Sequence, residues 1–185
     1  MYRISSLIDV PMRIFAETDR LILREILPQD KQGLYLLDSD PEVRAFLGNN
    51  PISTLEEAID TVQFIRKQYV TNGIGRWAVI EKETNEFVGW SGLKLITEET
   101  NNHTHYYDLG YRFIKKYWGK GYATETAYAT LSYAFGQLNL KEVFAIADVR
   151  NNSSKRVLEK VGFKIIETFN YQGVEHYWFN IKKNK

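Results

Sequence analysis

YDLGYRFIKKYWGKGYATE, residues 107–125, decides the fold. Residues 106–114 alternate: Tyr107, Leu109, Tyr111 and Phe113 fall on one side, Asp108, Gly110 and Arg112 on the other, as in a strand with one apolar face. Beyond it the period changes. Ala123, Ala127, Leu131, Ala134 and Leu138 keep the spacing of a helix that should end near Asn139. Gly119-Lys120-Gly121 sits at the switch. A helix entered through such a turn presents unpaired N–H groups and the positive end of its dipole at one point. Two glycines let an anion approach the backbone with no Cβ in the way, and Thr124 can add a hydroxyl. The turn is thus read as an anion site, with a tight connection that holds no ligand as the alternative. A P-loop would require G-x-x-x-x-G-K-S/T, which does not occur, and a dinucleotide fingerprint would require Gly or Ala where Thr124 stands.

Working outward, residues 20–27 (RLILREIL) read as a strand, and Pro28, Gln29 and Asp30 open a short helix carrying Leu34, Leu36 and Leu37, broken over 38–41. Thr54 with Glu57 forms a capping box. The helix behind it buries Ala58, Val62, Ile65 and Tyr69 and should stop at Asn72-Gly73. WAVIE (77–81) and FVGWSGLKLI (87–96) predict an antiparallel hairpin through Thr84-Asn85, followed by a polar loop at 97–104. Downstream, VFAIADV (143–149) is apolar enough to be a strand covered on both faces. A helix over 153–161 ends at Gly162, and strands over 163–169 and 174–181 turn at Gly173. The sum is a mixed α/β domain.

The chain has 185 residues and is 44% hydrophobic, enough for one packed core; with no repeat or linker, residues 1–185 are expected to form a single domain. Its 24 basic and 23 acidic residues give no electrostatic reason to bind nucleic acid or a membrane surface. No cysteine is present, which rules out disulfides and thiolate chemistry and fits a reducing cytoplasm. MYRISSLIDVPMRIF lacks the apolar run of about 7 to 15 residues of a signal peptide. Nor do about 18 apolar residues occur together anywhere.

Read together, residues 107–125, Asn151-x-x-Ser154 and Leu158-Glu-Lys-Val-Gly-Phe163 resemble the GNAT superfamily of acetyltransferases. ETDRLILREILPQD and DSDPEVRAFLG are similar to its ribosomal-protein N-terminal (RimJ/RimL-type) branch, so the likeness runs from residue 17 to about 181. The resemblance implies a mostly antiparallel central sheet in which the strands at 106–114 and 143–149 are parallel neighbours that splay apart around the pantetheine of acetyl-coenzyme A. It implies main-chain contacts to pantetheine from Phe113 and Ile114. It puts Gly119, Lys120, Gly121, Tyr122, Ala123 and Thr124 around the pyrophosphate, and Asn151 against the cofactor beyond the second strand. Asn152 or Ser153 could instead cap the helix there, and Lys120 could face phosphate or solvent. Lys116 replaces the Gln or Arg common in the family, which keeps a cation. Leu158 replaces a common tyrosine that protonates the departing thiolate.

Acetyl transfer to an amine requires removal of a proton from nitrogen, stabilisation of the oxyanion and a proton for sulfur. The resemblance offers Asp108 as the base; pairing with Arg112 on the same strand face is the competing role. Ser154 is the hydroxyl for the leaving sulfur or an ordinary first-turn residue, and the oxyanion donor is a backbone N–H in 111–114. Glu125 reads as structural. His103 and His105, with no third ligand at hand, read as solvated loop residues, and no metal is expected. Trp77, Trp90 and Tyr107 are offered as acceptor-cleft residues. The expected acceptor is a peptide or small-molecule amine, with a non-catalytic acyl-coenzyme A module as the alternative and a homodimer left open.

Overall fold

The computed structural model describes residues 12–183; the reading of the N-terminus as free of an apolar leader falls largely on residues 1–11, outside them. The strands are β1 (Ile14–Glu17), β2 (Leu21–Glu25), β3 (Trp77–Glu81), β4 (Phe87–Ile96), β5 (Tyr106–Phe113), β6 (Glu142–Asp148), β7 (Lys164–Tyr171) and β8 (Val174–Lys182). They form one sheet in the order β1-β2-β3-β4-β5-β6-β8-β7. Every pairing is antiparallel except β5 with β6, which are parallel and share a single register pair, Asp108 opposite Phe144. The two strands part beyond it.

The helices are α1 (Lys31–Asp38), α2 (Pro41–Arg44), α3 (Leu55–Asn72), α4 (Tyr122–Gly136) and α5 (Asn152–Lys160). The period of two in β3 sorts them onto the two faces of the sheet. Trp77 and Val79 join Leu109, Phe113, Ala127, Leu131 and Leu158 in the core under α4 and α5. Ala78 and Ile80 instead meet Leu34, Leu37, Ala58, Val62 and Ile65 of α1 and α3. α3 starts as its sequence requires: Thr54 Oγ1 accepts from the Glu57 N–H at 3.3 Å, Glu57 Oε2 accepts from the Thr54 N–H at 3.0 Å, and the helix closes on Gly73 at φ 70°. Arg24 grips Asp30 with two hydrogen bonds of 2.7 and 2.8 Å, which fixes the 3-10 turn Pro28–Asp30 ahead of α1 against β2.

Two elements have no counterpart in the sequence reading. β1 is four residues long with only Phe15 buried, too short for alternation to register. α2 begins at the last residue of the predicted break, because Asp40 Oδ1 accepts from the Glu42 N–H at 2.8 Å with Pro41 at the first helical position, a cap that restarts a helix at once.

Candidate active site

The turn between β5 and α4 has the backbone geometry of an anion site. Gly119 and Gly121 have φ of 76° and 82°, values that side-chain-bearing residues rarely adopt, and Gly121 is the N-cap of α4. The first helical N–H to bond back is that of Glu125, to the Gly121 carbonyl at 3.1 Å, so the N–H groups of Tyr122, Ala123 and Thr124 precede the ladder. A Cβ built on Gly119 would meet no atom within 4 Å, so the approach is open. A pyrophosphate fits this arrangement.

The cations around the turn are already partnered. Arg20, just before β2, pairs with Glu125 and donates to the Lys120 carbonyl at 3.0 Å. Lys120 lies 3.6 Å from Glu81, and Lys116 lies 2.9 Å from Glu86. The Tyr122 hydroxyl donates to Glu81 and pins the start of α4 to β3, and this bond holds the Glu81 carboxyl below its ordinary range. Glu125 also takes a hydrogen bond from Thr18 at 2.5 Å, so it ties α4 to the β1–β2 turn. Arg20 is the residue that sequence reading missed here. Only the fold brings it to a turn about a hundred positions downstream, and no local signal marks it.

From the turn, the gap between β5 and β6 leads inward. The Ile114 N–H donates to the Val88 carbonyl at 3.0 Å, and alternation then aims the N–H groups of Phe113 and Tyr111 away from β4, into that gap. Phe113 and Ile114 differ in this respect. Ile114 uses its carbonyl as well, accepting from the Tyr117 N–H at 2.9 Å, while the Phe113 carbonyl accepts from the Trp118 indole at 2.8 Å. Across the gap, Asn151 caps α5, its Oδ1 accepting from the Ser154 N–H at 3.0 Å. The cap is Asn151 rather than Asn152 or Ser153; its backbone N–H donates to the Asp148 carbonyl at 2.9 Å, and its side-chain amide nitrogen makes no bond among the described residues. The Ser154 hydroxyl lies 3.1 Å from the Tyr111 hydroxyl. Leu158, one turn further along α5, is 1% exposed and belongs to the core.

The face of β5 under α1–α3 carries a charged network. Asp108, 8% exposed, pairs with Arg76 and not with Arg112, which instead pairs with Asp38 of α1. Gly92 and Gly110 lie opposite each other on β4 and β5; Arg76 lies over the bare Gly110 and donates 2.6 Å hydrogen bonds to the Gly92 and Asp108 carbonyls, while Trp77 fills the space beside Gly92. A Cβ on Gly110 would come within 2.8 Å of that guanidinium. Trp90 sits between Arg76 and Arg112, 5.3 and 4.9 Å from its ring, while Trp77 is fully buried against Phe15 and lines no cleft. Tyr107 packs at the edge of the core under α4 and α5, half-buried. Burial pushes the Asp108 carboxyl up, against the pull of Arg76.

His103 is not a solvated loop residue. Its ring packs 5.0 Å from Trp178 and 5.3 Å from Phe144, with Nδ1 2.6 Å from the Asn101 carbonyl. Among the described residues no three His, Cys, Asp or Glu side chains converge on a metal position, and no helix is long and apolar enough to cross a membrane.

Comparison with known proteins agrees with this geometry. Residues 20–164 match the acetyltransferase (GNAT) domain family. YoaA, an uncharacterized N-acetyltransferase of Bacillus subtilis, is 30% identical over 168 residues, 89% of this chain and 93% of its own length. An FsC-acetyl coenzyme A-N(2)-transacetylase of Aspergillus fumigatus is 31% identical over 156 residues, 82% of this chain and 66% of its own length. The crystal structure of a GNAT-family acetyltransferase from Bacillus anthracis superposes with a TM-score of 0.74 at 26% identity, covering 90% of this chain and 97% of that one. The chain belongs to the GNAT acetyltransferase family. It is an N-acetyltransferase.

Proposed function

We propose that this enzyme moves an acetyl group from acetyl-coenzyme A to a primary amine, by direct attack of the amine on the thioester. The observation that carries the reading is the continuity between the Gly119–Gly121 cradle and the gap between β5 and β6, one holding phosphate and the other the arm that follows it. In this reading the N–H groups of Tyr122, Ala123 and Thr124 take the pyrophosphate, with Gly119, Lys120 and Gly121 framing it. Phe113 offers its N–H to pantetheine, Ile114 offers its side chain, and Asn151 offers its free amide nitrogen. The bound donor supplies an activated acetyl group on a thiol leaving group. Asp108 removes the amine proton, Ser154 protonates the sulfur, and the N–H of Tyr111 receives the oxyanion charge.

The acceptor is a protein N-terminal α-amine or a small amine. The ribosomal-protein (RimJ/RimL-type) branch is favoured by ETDRLILREILPQD and DSDPEVRAFLG. A single domain at work in the cytoplasm fits a chain without cysteine. A net charge of +1 calls for neither nucleic acid nor membrane as partner, and the exposed Ile165 and Ile166 on edge strand β7 are compatible with a homodimer. Release of free thiol from acetyl-coenzyme A in the presence of α-amine peptides, polyamines or amine antibiotics tests the reading. Turnover with one class supports it. Tight binding with no thiol released across all three indicates instead a module that binds acyl-coenzyme A without catalysis, which the apolar Leu158 would suit.

A further inference from the structure

β5 and the arm formed by β6 and α5 diverge after a single register pair, and among the described residues one residue pair makes the side-chain hydrogen bonds that join them. It joins two hydroxyls. Tyr111 Oη, from β5, lies 3.1 Å from both Ser154 Oγ and the Ser154 carbonyl, at the first turn of α5. The surroundings are apolar: Tyr111 packs on the main core with Ala147 and Leu158. Both residues are half-buried, and hydroxyls paired in such a place strengthen one another. The phenol has two acceptors and one proton. When it donates to the carbonyl, Ser154 Oγ must aim its proton at Tyr111; when it donates to Oγ, the serine proton is free to point into the gap.

Resting on the acetyl-transfer reading above, we propose that Tyr111 and Ser154 form a two-hydroxyl relay that protonates the departing thiol, with Tyr111 as the positioning residue that directs and recharges Ser154. The pair stands one helical turn before Leu158, so it supplies from β5 the phenol that α5 lacks. As the bond from acetyl carbon to nitrogen forms and the carbon–sulfur bond breaks, Ser154 Oγ gives its proton to sulfur. Oγ takes the Tyr111 proton, and Tyr111 is reprotonated from solvent as product leaves, while the proton lost by the acceptor nitrogen leaves by way of Asp108. Burial holds the phenol pKa well above its ordinary value, so the relay begins with Tyr111 protonated at neutral pH and any phenolate is short-lived.

Tyr111→Phe keeps the ring and removes only the hydroxyl, so the fold and the affinity for coenzyme A should stay within about twofold of wild type. Turnover should fall about tenfold in Tyr111→Phe and about a hundredfold in Ser154→Ala, and the double variant should be no slower than Ser154→Ala because the two act as one unit. A second readout needs no turnover: the ionisation of the bound coenzyme A thiol, followed by thiolate absorbance. Ser154→Ala should raise that thiol's pKa by about one unit and Tyr111→Phe by about half a unit, as donors to the thiolate are lost. If wild type releases no thiol with any amine, the acetyl-transfer reading fails on its own, and the thiol titration still decides on the relay. An unmoved thiol pKa in Tyr111→Phe overturns the role of Tyr111, as does a double variant whose losses multiply.

Discussion

In the proposed site the donor half is made of backbone and the acceptor half of side chains, and the two halves differ in how they handle charge. At Gly119–Gly121 three lysine and arginine side chains, Arg20, Lys116 and Lys120, each already hold a carboxylate, so what is left for an anion is N–H groups and a helix start. Under α1–α3, Asp108 and Asp38 are buried with Arg76 and Arg112, where charge is costly unless paired. In the proposed reading the first half takes phosphate without rearrangement. The second is held by mutual neutralisation, and altering one member exposes its partner.

The sharpest way to break this contrast is at the backbone. Gly121→Val places a β-branched residue at φ 82°, a region closed to it, so the turn must rebuild and the N–H groups lose their common direction. Affinity for coenzyme A, measured by titration calorimetry, should drop about a hundredfold, the scale at which a mispositioned site fails. The protein should remain folded by circular dichroism, since a Cβ there meets nothing nearer than Arg20 at 3.7 Å. Affinity unchanged in a folded variant would move the phosphate elsewhere.

The same division explains what could be read from the sequence. The donor half was legible because its parts are contiguous: an alternating strand, two glycines and a helix within residues 106–138 announce the turn, and Asn151 with Ser154 lie at the next strand's end. Seven of the eight strands and four of the five helices follow from period and punctuation in the same way, and the parallel pairing of β5 with β6 from the family resemblance. The acceptor half was not legible. Asp108 and Arg112 share a strand face at a spacing that invites pairing, yet Arg76 and Asp38, 32 and 74 positions away, outbid that contact once β3 and α1 are in place. Arg20 at Lys120 is invisible for the same reason, and His103 reads as polar loop until Trp178 and Phe144 close on it. Side-chain partners across a sheet depend on register and packing order, which no local window holds.

Asp108→Asn probes the buried half through its chemistry. The substitution keeps shape and a hydrogen bond to Arg76 but removes the proposed base, so turnover near neutral pH should fall about thirtyfold, below the full range for a free base because Arg76 already occupies the carboxylate. The sign of the pH dependence is fixed by the acceptor. An amine with a pKa near ~10 is mostly protonated at neutrality and sheds its own proton as pH rises, so the deficit should shrink toward pH 10. Wild-type turnover at neutral pH, or a deficit independent of pH, would leave Asp108 as a partner for Arg76 and nothing more.

The smallest effect should come from the residue that looks most like a phosphate ligand. Lys120 lies between the two glycines, yet its ammonium is 3.6 Å from Glu81 and 4.9 Å from the Tyr117 ring, directed back at the protein. If the turn binds through N–H groups, Lys120→Ala should weaken coenzyme A by less than about threefold, the scale of an exposed ion pair. Removing Lys120 also frees Glu81 from one cation, but the Tyr122 hydroxyl still holds that carboxylate, so α4 stays anchored to β3. A larger loss, together with a steeper dependence on salt in wild type than in the variant, would mean that Lys120 leaves Glu81 and turns to the phosphates on binding. The donor half would then be a side-chain site too, and the contrast between the halves would narrow to burial alone.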